Sequence, residues 1–129
     1  MTDEKQDILY AKYPKIFRQK DLPPTKSMMC DGIAVGDGWF AILDRLCEDV
    51  QTRVDQSGCE QFEAVQVKEK FGELRVYSDG GDSVTDALVS KAECDSCGVC
   101  ERCGSTEGVT TKGPGWIVTW CDKCRKEKE

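Results

Sequence analysis

The sequence predicts an α+β fold: a small domain with one long amphipathic helix packed on a β-hairpin-based antiparallel sheet, followed by a C-terminal zinc-ribbon-like subdomain. Three observations predict it: an apolar stripe of helical period in the first half, two alternating segments around a glycine turn in the middle, and paired C-x-x-C units at the end. The chain has 129 residues, the size of one domain of roughly 100–150 residues. A second independent core is not expected, and the division expected is 1–93 for the main domain and 94–129 for the ribbon.

Residues 3–13 read as a short helix with Ile8 and Leu9 inward, ended by Pro14, whose ring disfavours helical conformation in the residue before it. Residues 14–38 contain Pro23-Pro24 and Gly32, Gly36 and Gly38, so they read as an extended, turn-rich wrap tucked onto the core by Met28, Met29, Ile33 and Val35. Trp39, Ile42, Leu43, Leu46, Val50 and Val54 then recur at steps of three and four, which places them on one helix face. Asp37 is the expected N-cap and Gly58 the expected terminator. Cys47 lies beside the stripe and reads as a small buried hydrophobe.

Residues 62–77 read as a hairpin, with Val65 and Val67 alternating with Gln66 and Lys68, and Leu74 and Val76 with Arg75 and Tyr77. Gly72 supplies the turn. A loop at Gly80-Gly81 follows, and Ser83 with Asp86 resembles a capping box that opens a helix toward Ala92.

The tail carries the chemistry. Cys100-Glu101-Arg102-Cys103-Gly104 and Cys121-Asp122-Lys123-Cys124 are separated by 17 residues, a spacing that reads as zinc. Two residues between thiolates let the chain curl both sulfurs onto one ion at about 2.3 Å, and Gly104 permits positive φ after the first curl. Residues 109–112 and 116–120, joined by Gly113-Pro114-Gly115, are the expected ribbon strands. Four thiolates leave no open position for water, so the zinc is structural. Cys94 and Cys97 form a third doublet, accessory ligands if two zinc ions are bridged by six thiolates. The run Cys94, Cys97, Cys100, Cys103 resembles an iron–sulfur motif, except that the last gap is two residues and glycine stands where proline is expected.

Nine cysteines pose a choice between disulfides and thiol chemistry. The first residues lack the basic then apolar pattern of an export signal, so thiols and a cytoplasmic location are expected. No apolar run reaches the roughly 20 residues of a membrane helix, and no membrane association is expected. Histidine is absent, which removes the commonest general base and excludes histidine-ligated catalytic zinc. Enzymatic chemistry would need a pocket that gathers Glu69, Glu73, Asp37 or a free cysteine.

The formal net charge is −6, and all of it lies in residues 1–90, which hold 17 acidic and 11 basic residues. Such a surface repels nucleic-acid backbone and favours basic protein partners. Two places are candidate interaction surfaces: the hairpin face with Lys68, Lys70, Glu73 and Arg75, and the indoles of Trp116 and Trp120. Their ordinary readings are a solvated face and, for Trp116, Val118 and Trp120, packing of the ribbon onto the main domain. An exposed indole beside Lys112, Lys123, Arg125 and Lys126 would instead serve as a protein hot spot or a base-stacking platform.

Asp37-Gly38-Trp39, the block from Val67 to Gly72 with Leu74-Arg75-Val76-Tyr77, and the two terminal doublets together resemble an uncharacterised family of short proteins common in bacterial genomes, phages and prophages. The resemblance spans residues 13–124. In that family a tryptophan commonly precedes the second doublet, as Trp116 does here, which implies the same four ligands and leaves Cys94 and Cys97 as additions. It implies a non-enzymatic zinc protein of phage or prophage type that binds and modulates a host protein. The alternative is a nucleic-acid-associated zinc-ribbon regulator.

Overall fold

In the computed structural model, which describes residues 1–127, the first helix α1 spans Asp3–Lys12 and stops short of Pro14. Lys128 and Glu129, at the end of the expected 94–129 subdomain, lie outside the described residues. Only Leu9 of α1 is buried, while Ile8 is exposed, contrary to the expected inward pair: a helix lying on a domain surface buries one narrow face, and adjacent residues sit about 100° apart on it. The segment after it contains two short 3₁₀ turns, Arg18–Asp21 and Met28–Asp31, and a two-residue strand β1, Ile33–Ala34. Met29, Ile33 and Val35 are buried as expected, but Met28 is exposed because the 3₁₀ turn takes it to the outside.

The apolar stripe forms α2, Phe40–Ser57, which buries Leu43, Leu46, Cys47, Val50 and Val54. Burial pushes the Cys47 thiol up to about 12, in keeping with an inert core residue. Gly58 ends the helix in left-handed conformation, φ 71°, with its N–H donating to the Val54 carbonyl at 2.9 Å. Asp37 is not the N-cap. A 3₁₀ turn, Asp37–Trp39, leads into the helix, Trp39 occupies the cap position, and the Asp37 carboxylate accepts the N–H of Thr2 at 2.8 Å.

Strands β2, Glu63–Lys70, and β3, Glu73–Asp79, form the expected antiparallel hairpin, and β1 adds to β2 in parallel with Ile33 opposite Val67. A bulge between Ala64 and Gln66 breaks the alternation. The extra residue turns Ala64 and Val67 into the core and leaves Val65, an expected core residue, half-buried. The two turn residues, Phe71 at φ 53° and Gly72 at φ 80°, make the twisted two-residue loop suited to hairpins. Phe71 is the sole non-glycine with positive φ among the described residues, and its ring is 71% exposed. Phe71→Asn should therefore stabilise the fold by about 1 kcal/mol, since asparagine tolerates this conformation and phenylalanine does not; a denaturant midpoint that fails to rise would contradict the strain.

Helix α3 spans Ser83–Ser96 and opens one residue earlier than expected. Asp82, not Ser83, is the cap: its carboxylate accepts the N–H groups of Val84 and Thr85, both at 3.1 Å, and Thr85 Oγ1 accepts the Asp82 N–H at 2.8 Å. Arg53 of α2 fixes the same carboxylate at 2.8 Å and holds it below the usual carboxylate range. The helix passes Ala92 and carries Cys94 across the junction between 93 and 94. It also covers the free edge of β3: Ser96 Oγ and the Glu93 carboxylate accept the outward N–H groups of Leu74 and Val76, at 3.0 and 3.1 Å.

The ribbon contributes β4, Val109–Lys112, and β5, Val118–Cys121, paired antiparallel, and a final turn of helix α4, Asp122–Glu127. Packing falls into two clusters. The main core gathers α1, α2, the sheet and α3, whereas the ribbon's own cluster is Cys100, Cys121 and Cys124 with Val109 and Trp120 against them.

One carboxylate ties the first two helices. Asp44 Oδ1 accepts from the Tyr13 hydroxyl at 2.6 Å and from Lys12 Nζ at 2.7 Å, and the Lys12 bond, then that of Tyr13, holds it below 3.8. A lowered folded value means that its contribution is complete above the ordinary carboxylate range and is lost as pH falls through the folded value. Asp44→Asn should thus flatten the acid limb of a stability–pH curve, while leaving it unchanged near neutrality in shape.

Candidate metal centre

The sulfurs of Cys100, Cys103, Cys121 and Cys124 all lie within 4.8 Å of one another. Cys103 Sγ and Cys121 Sγ are 3.6 Å apart, far beyond a disulfide bond of about 2.05 Å. A tetrahedron with sulfur arms of about 2.3 Å has edges of about 3.8 Å. The four thiols therefore fit one metal ion, and three of them, Cys100, Cys121 and Cys124, are buried.

Each curl has a local cause. In the first, Gly104 adopts φ 81° and donates its N–H to the Cys100 carbonyl at 2.9 Å, closing the turn as the sequence predicts. In the second, Cys121 ends β5 and Cys124 sits in α4, with the Cys124 N–H donating to Cys121 Sγ at 3.4 Å. Burial raises the Cys100 thiol, but the N–H groups of Cys103, Cys121 and Arg102 outweigh that and bring it to about 7. Burial, then the neighbouring thiols of Cys121 and Cys103, push Cys124 up. Four thiolates packed this closely repel one another, and a cation among them removes the penalty.

The ribbon is seated on the main domain through the motif segments. The N–H of Gly38 donates to the Glu101 carbonyl at 2.8 Å, that of Gly36 to the Glu101 carboxylate at 2.9 Å, and the Trp39 indole N–H to the Val99 carbonyl at 2.8 Å. A Cβ at Gly38 would overlap the Cys100 carbonyl, and one at Gly36 that of Glu101. These glycines admit the first cysteine curl at backbone distance. On the other side, Thr119 Oγ1, fully buried, donates to the Gly72 carbonyl at 2.6 Å and lies 2.7 Å from Thr111 Oγ1. The face that packs on the main domain is thus the threonine face, not Trp116, Val118 and Trp120 as expected. The buried Gly72 carbonyl finds its donor in the Thr119 hydroxyl, which turns this face of the strand inward.

Cys94 and Cys97 are exposed and stand outside the four-sulfur cluster. Cys94→Ser should leave the bound metal in place and shift the unfolding free energy by no more than about 0.5 kcal/mol, as for other exposed positions; metal content and a denaturant curve check both.

Two adjoining clefts flank the ribbon. One, of about 1020 Å³, is lined by Trp116, Val118, Trp120, Glu69, Glu101 and the Arg125 side chain. Arg102 lies over the Trp120 ring at 5.3 Å and also donates to the Cys124 carbonyl. The other, of about 510 Å³, is lined by Lys68, Glu69, Lys70, Phe71, Trp116 and Ile117. Of the candidate interaction residues, Trp116, Trp120, Lys68 and Lys70 line these clefts, whereas Glu73 and Arg75 pair with each other at 3.1 Å. Glu69 shares a cleft with Glu101, not with Glu73 or Asp37, and no cysteine lines it. Both carboxylates already accept backbone N–H groups, from Gly72 at 3.1 Å and from Gly36 at 2.9 Å. Burial, and then the charge of Glu69, raises Glu101.

Sequence reasoning did not single out Phe71, Ile117 and Glu101. For Phe71 a signal was present: a bulky aromatic immediately before a turn glycine sits at the tip of a hairpin, where no core reaches it.

Fold and site define a small α+β protein with a four-cysteine metal-binding tail. No protein-family model matches the chain, and comparison with the curated proteins and with the solved structures finds no similar one. Among the described residues no helix is long and apolar enough to cross a membrane.

Proposed function

We propose that Cys100, Cys103, Cys121 and Cys124 hold one structural zinc ion and that the protein is a non-enzymatic binding module of phage or prophage type that acts on a host protein. An all-thiolate, tetrahedral donor set of this spacing suits zinc, and a closed sphere supports a structural role. The pairing of Cys100 and Cys103 with Cys121 and Cys124, and not with Cys94 and Cys97, favours zinc over a ferredoxin-type cluster. Thiols gathered as ligands suit a reducing compartment such as a host cytoplasm. The phage context comes from the resemblance of the motif segments.

The observation that carries the binding role is the pair of exposed aromatics, Trp116 at 76% and Phe71 at 71%, facing one cleft. Large exposed aromatics in one patch are the usual anchors of protein interfaces. Elemental analysis should give one equivalent of zinc; iron, or two equivalents, rejects the metal assignment. Tagged protein purified from host cells should enrich a protein that is lost from a Phe71→Ala, Trp116→Ala double variant, and recovery unaffected by the double variant rejects this surface. A nucleic-acid role draws on the lysines beside the same aromatics. It requires binding to oligonucleotides at low salt that falls steeply with added salt.

A further inference from the structure

We infer that the cleft between the β2–β3 tip and the ribbon turn binds an acidic, extended protein segment bearing an apolar anchor, an inference that rests on the protein-binding role just proposed. Its apolar part is Phe71, Trp116 and Ile117, exposed by 71%, 76% and 37%. Phe71 is held at φ 53°, a conformation that disfavours a bulky side chain. Strain of this kind persists where a side chain is wanted for something other than stability.

The charge around this patch is opposite to that of the molecule. The chain carries −6 overall, yet in this cleft Lys68 and Lys70 outnumber the one carboxylate, Glu69, and Lys112 lines the adjoining one, and none of the three lysines has an ion-pair partner among the described residues. Lys70 lies 5.9 Å from the Phe71 ring centre. Lys68 and Lys70 are alternate residues on one strand, so their side chains leave the same face about 6.7 Å apart. Alternate acidic side chains of an extended segment have the same repeat, and its intervening apolar residues would meet Phe71, Trp116 and Ile117.

A single-stranded nucleic acid would also meet lysines and aromatic faces. Its path along the aromatics from Phe71 past Trp116 to Trp120, however, leaves the smaller cleft, whose lining already includes Glu69, and runs on over Glu101 in the larger one, where phosphates are repelled. A peptide can instead present N–H groups to those carboxylates.

The test uses tryptophan emission and three probes: a short peptide alternating glutamate with leucine and phenylalanine, its lysine counterpart, and an oligothymidylate. The acidic peptide is expected to shift the emission of Trp116 and to bind at least about tenfold more weakly to a Lys68→Glu, Lys70→Glu variant. Phe71→Asn is the sharper variant, because it should raise the melting temperature while weakening the peptide, so that loss of binding cannot be misfolding. Equal binding of the lysine peptide, preference for the oligonucleotide, or no response to the acidic probe each overturns the inference. If a host protein is still captured and still lost on Phe71→Ala, Trp116→Ala, the binding role stands and only the partner's chemistry is wrong. If capture is indifferent to those residues, both fall.

Discussion

Cys100→Ser or Cys121→Ser is expected to release the metal and to unfold the ribbon, the largest single effect in the molecule. The ribbon's own apolar cluster consists of three cysteines with Val109 and Trp120 against them, too little to hold some 30 residues without help. Binding of a structural zinc by such a unit supplies on the order of 10 kcal/mol, so its loss leaves β4, β5 and α4 without a folded state of their own. Amide exchange should show residues 100–125 exchanging rapidly in either variant, and in the wild type after a strong chelator. Protection that survives chelation would mean that the metal is not what folds this segment. The main core should loosen less, because its helices and sheet pack on one another, but it gives up the hydrogen bonds from Gly38, Gly36 and Trp39 to the ribbon.

The second large effect comes from a residue that touches no metal. Gly38→Ala should destabilise the fold by about 3 kcal/mol or more, the upper end for overpacking, since the added methyl meets the Cys100 carbonyl and backbone cannot turn aside as a side chain can. Moving the curl also strains the sulfur that follows that carbonyl's residue into the cluster, so metal affinity should fall along with stability, as a competition with a chromophoric chelator would show. Gly58→Ala is the control: its φ is 71° but nothing lies within 4 Å of the added Cβ, so the cost is that of the left-handed conformation alone, about 1 kcal/mol. Equal costs at the two positions, or unchanged metal affinity in Gly38→Ala, would show that the close approach to Cys100 is not what makes glycine necessary.

Periodic and spaced signals were readable from the sequence because they depend on the chain's own geometry. The stripe from Trp39 to Val54 gave α2, the alternation around Gly72 gave the hairpin, and two doublets 17 residues apart gave the sulfur cluster. What escaped depends on neighbours distant in sequence. Alternation divides residues 116–120 into two faces without saying which is inward, and the choice falls to Thr119 because Gly72, 47 residues away, has a carbonyl to satisfy. The glycines of residues 36–38 looked like turn residues, and their actual role, close passage of another backbone, cannot be seen until that backbone is in place. The bulge beside Val65 and the cap at Asp82 are one-residue offsets; Arg53 from α2 fixes the second of these. The exposure of Phe71 was legible from its place at a hairpin tip, whereas that of Trp116 depends on which face of the ribbon meets the main domain.

The side chains of Ser96 and Glu93 that occupy the outward amides of β3 bear on how the protein behaves when crowded. A bare strand margin is a template on which a like chain can zip itself, and successive copies can then grow a fibre. Here that margin is sealed from within the same molecule. Ser96→Ala with Glu93→Ala would reopen it, and light scattering at high concentration should then detect self-association that the unaltered protein resists.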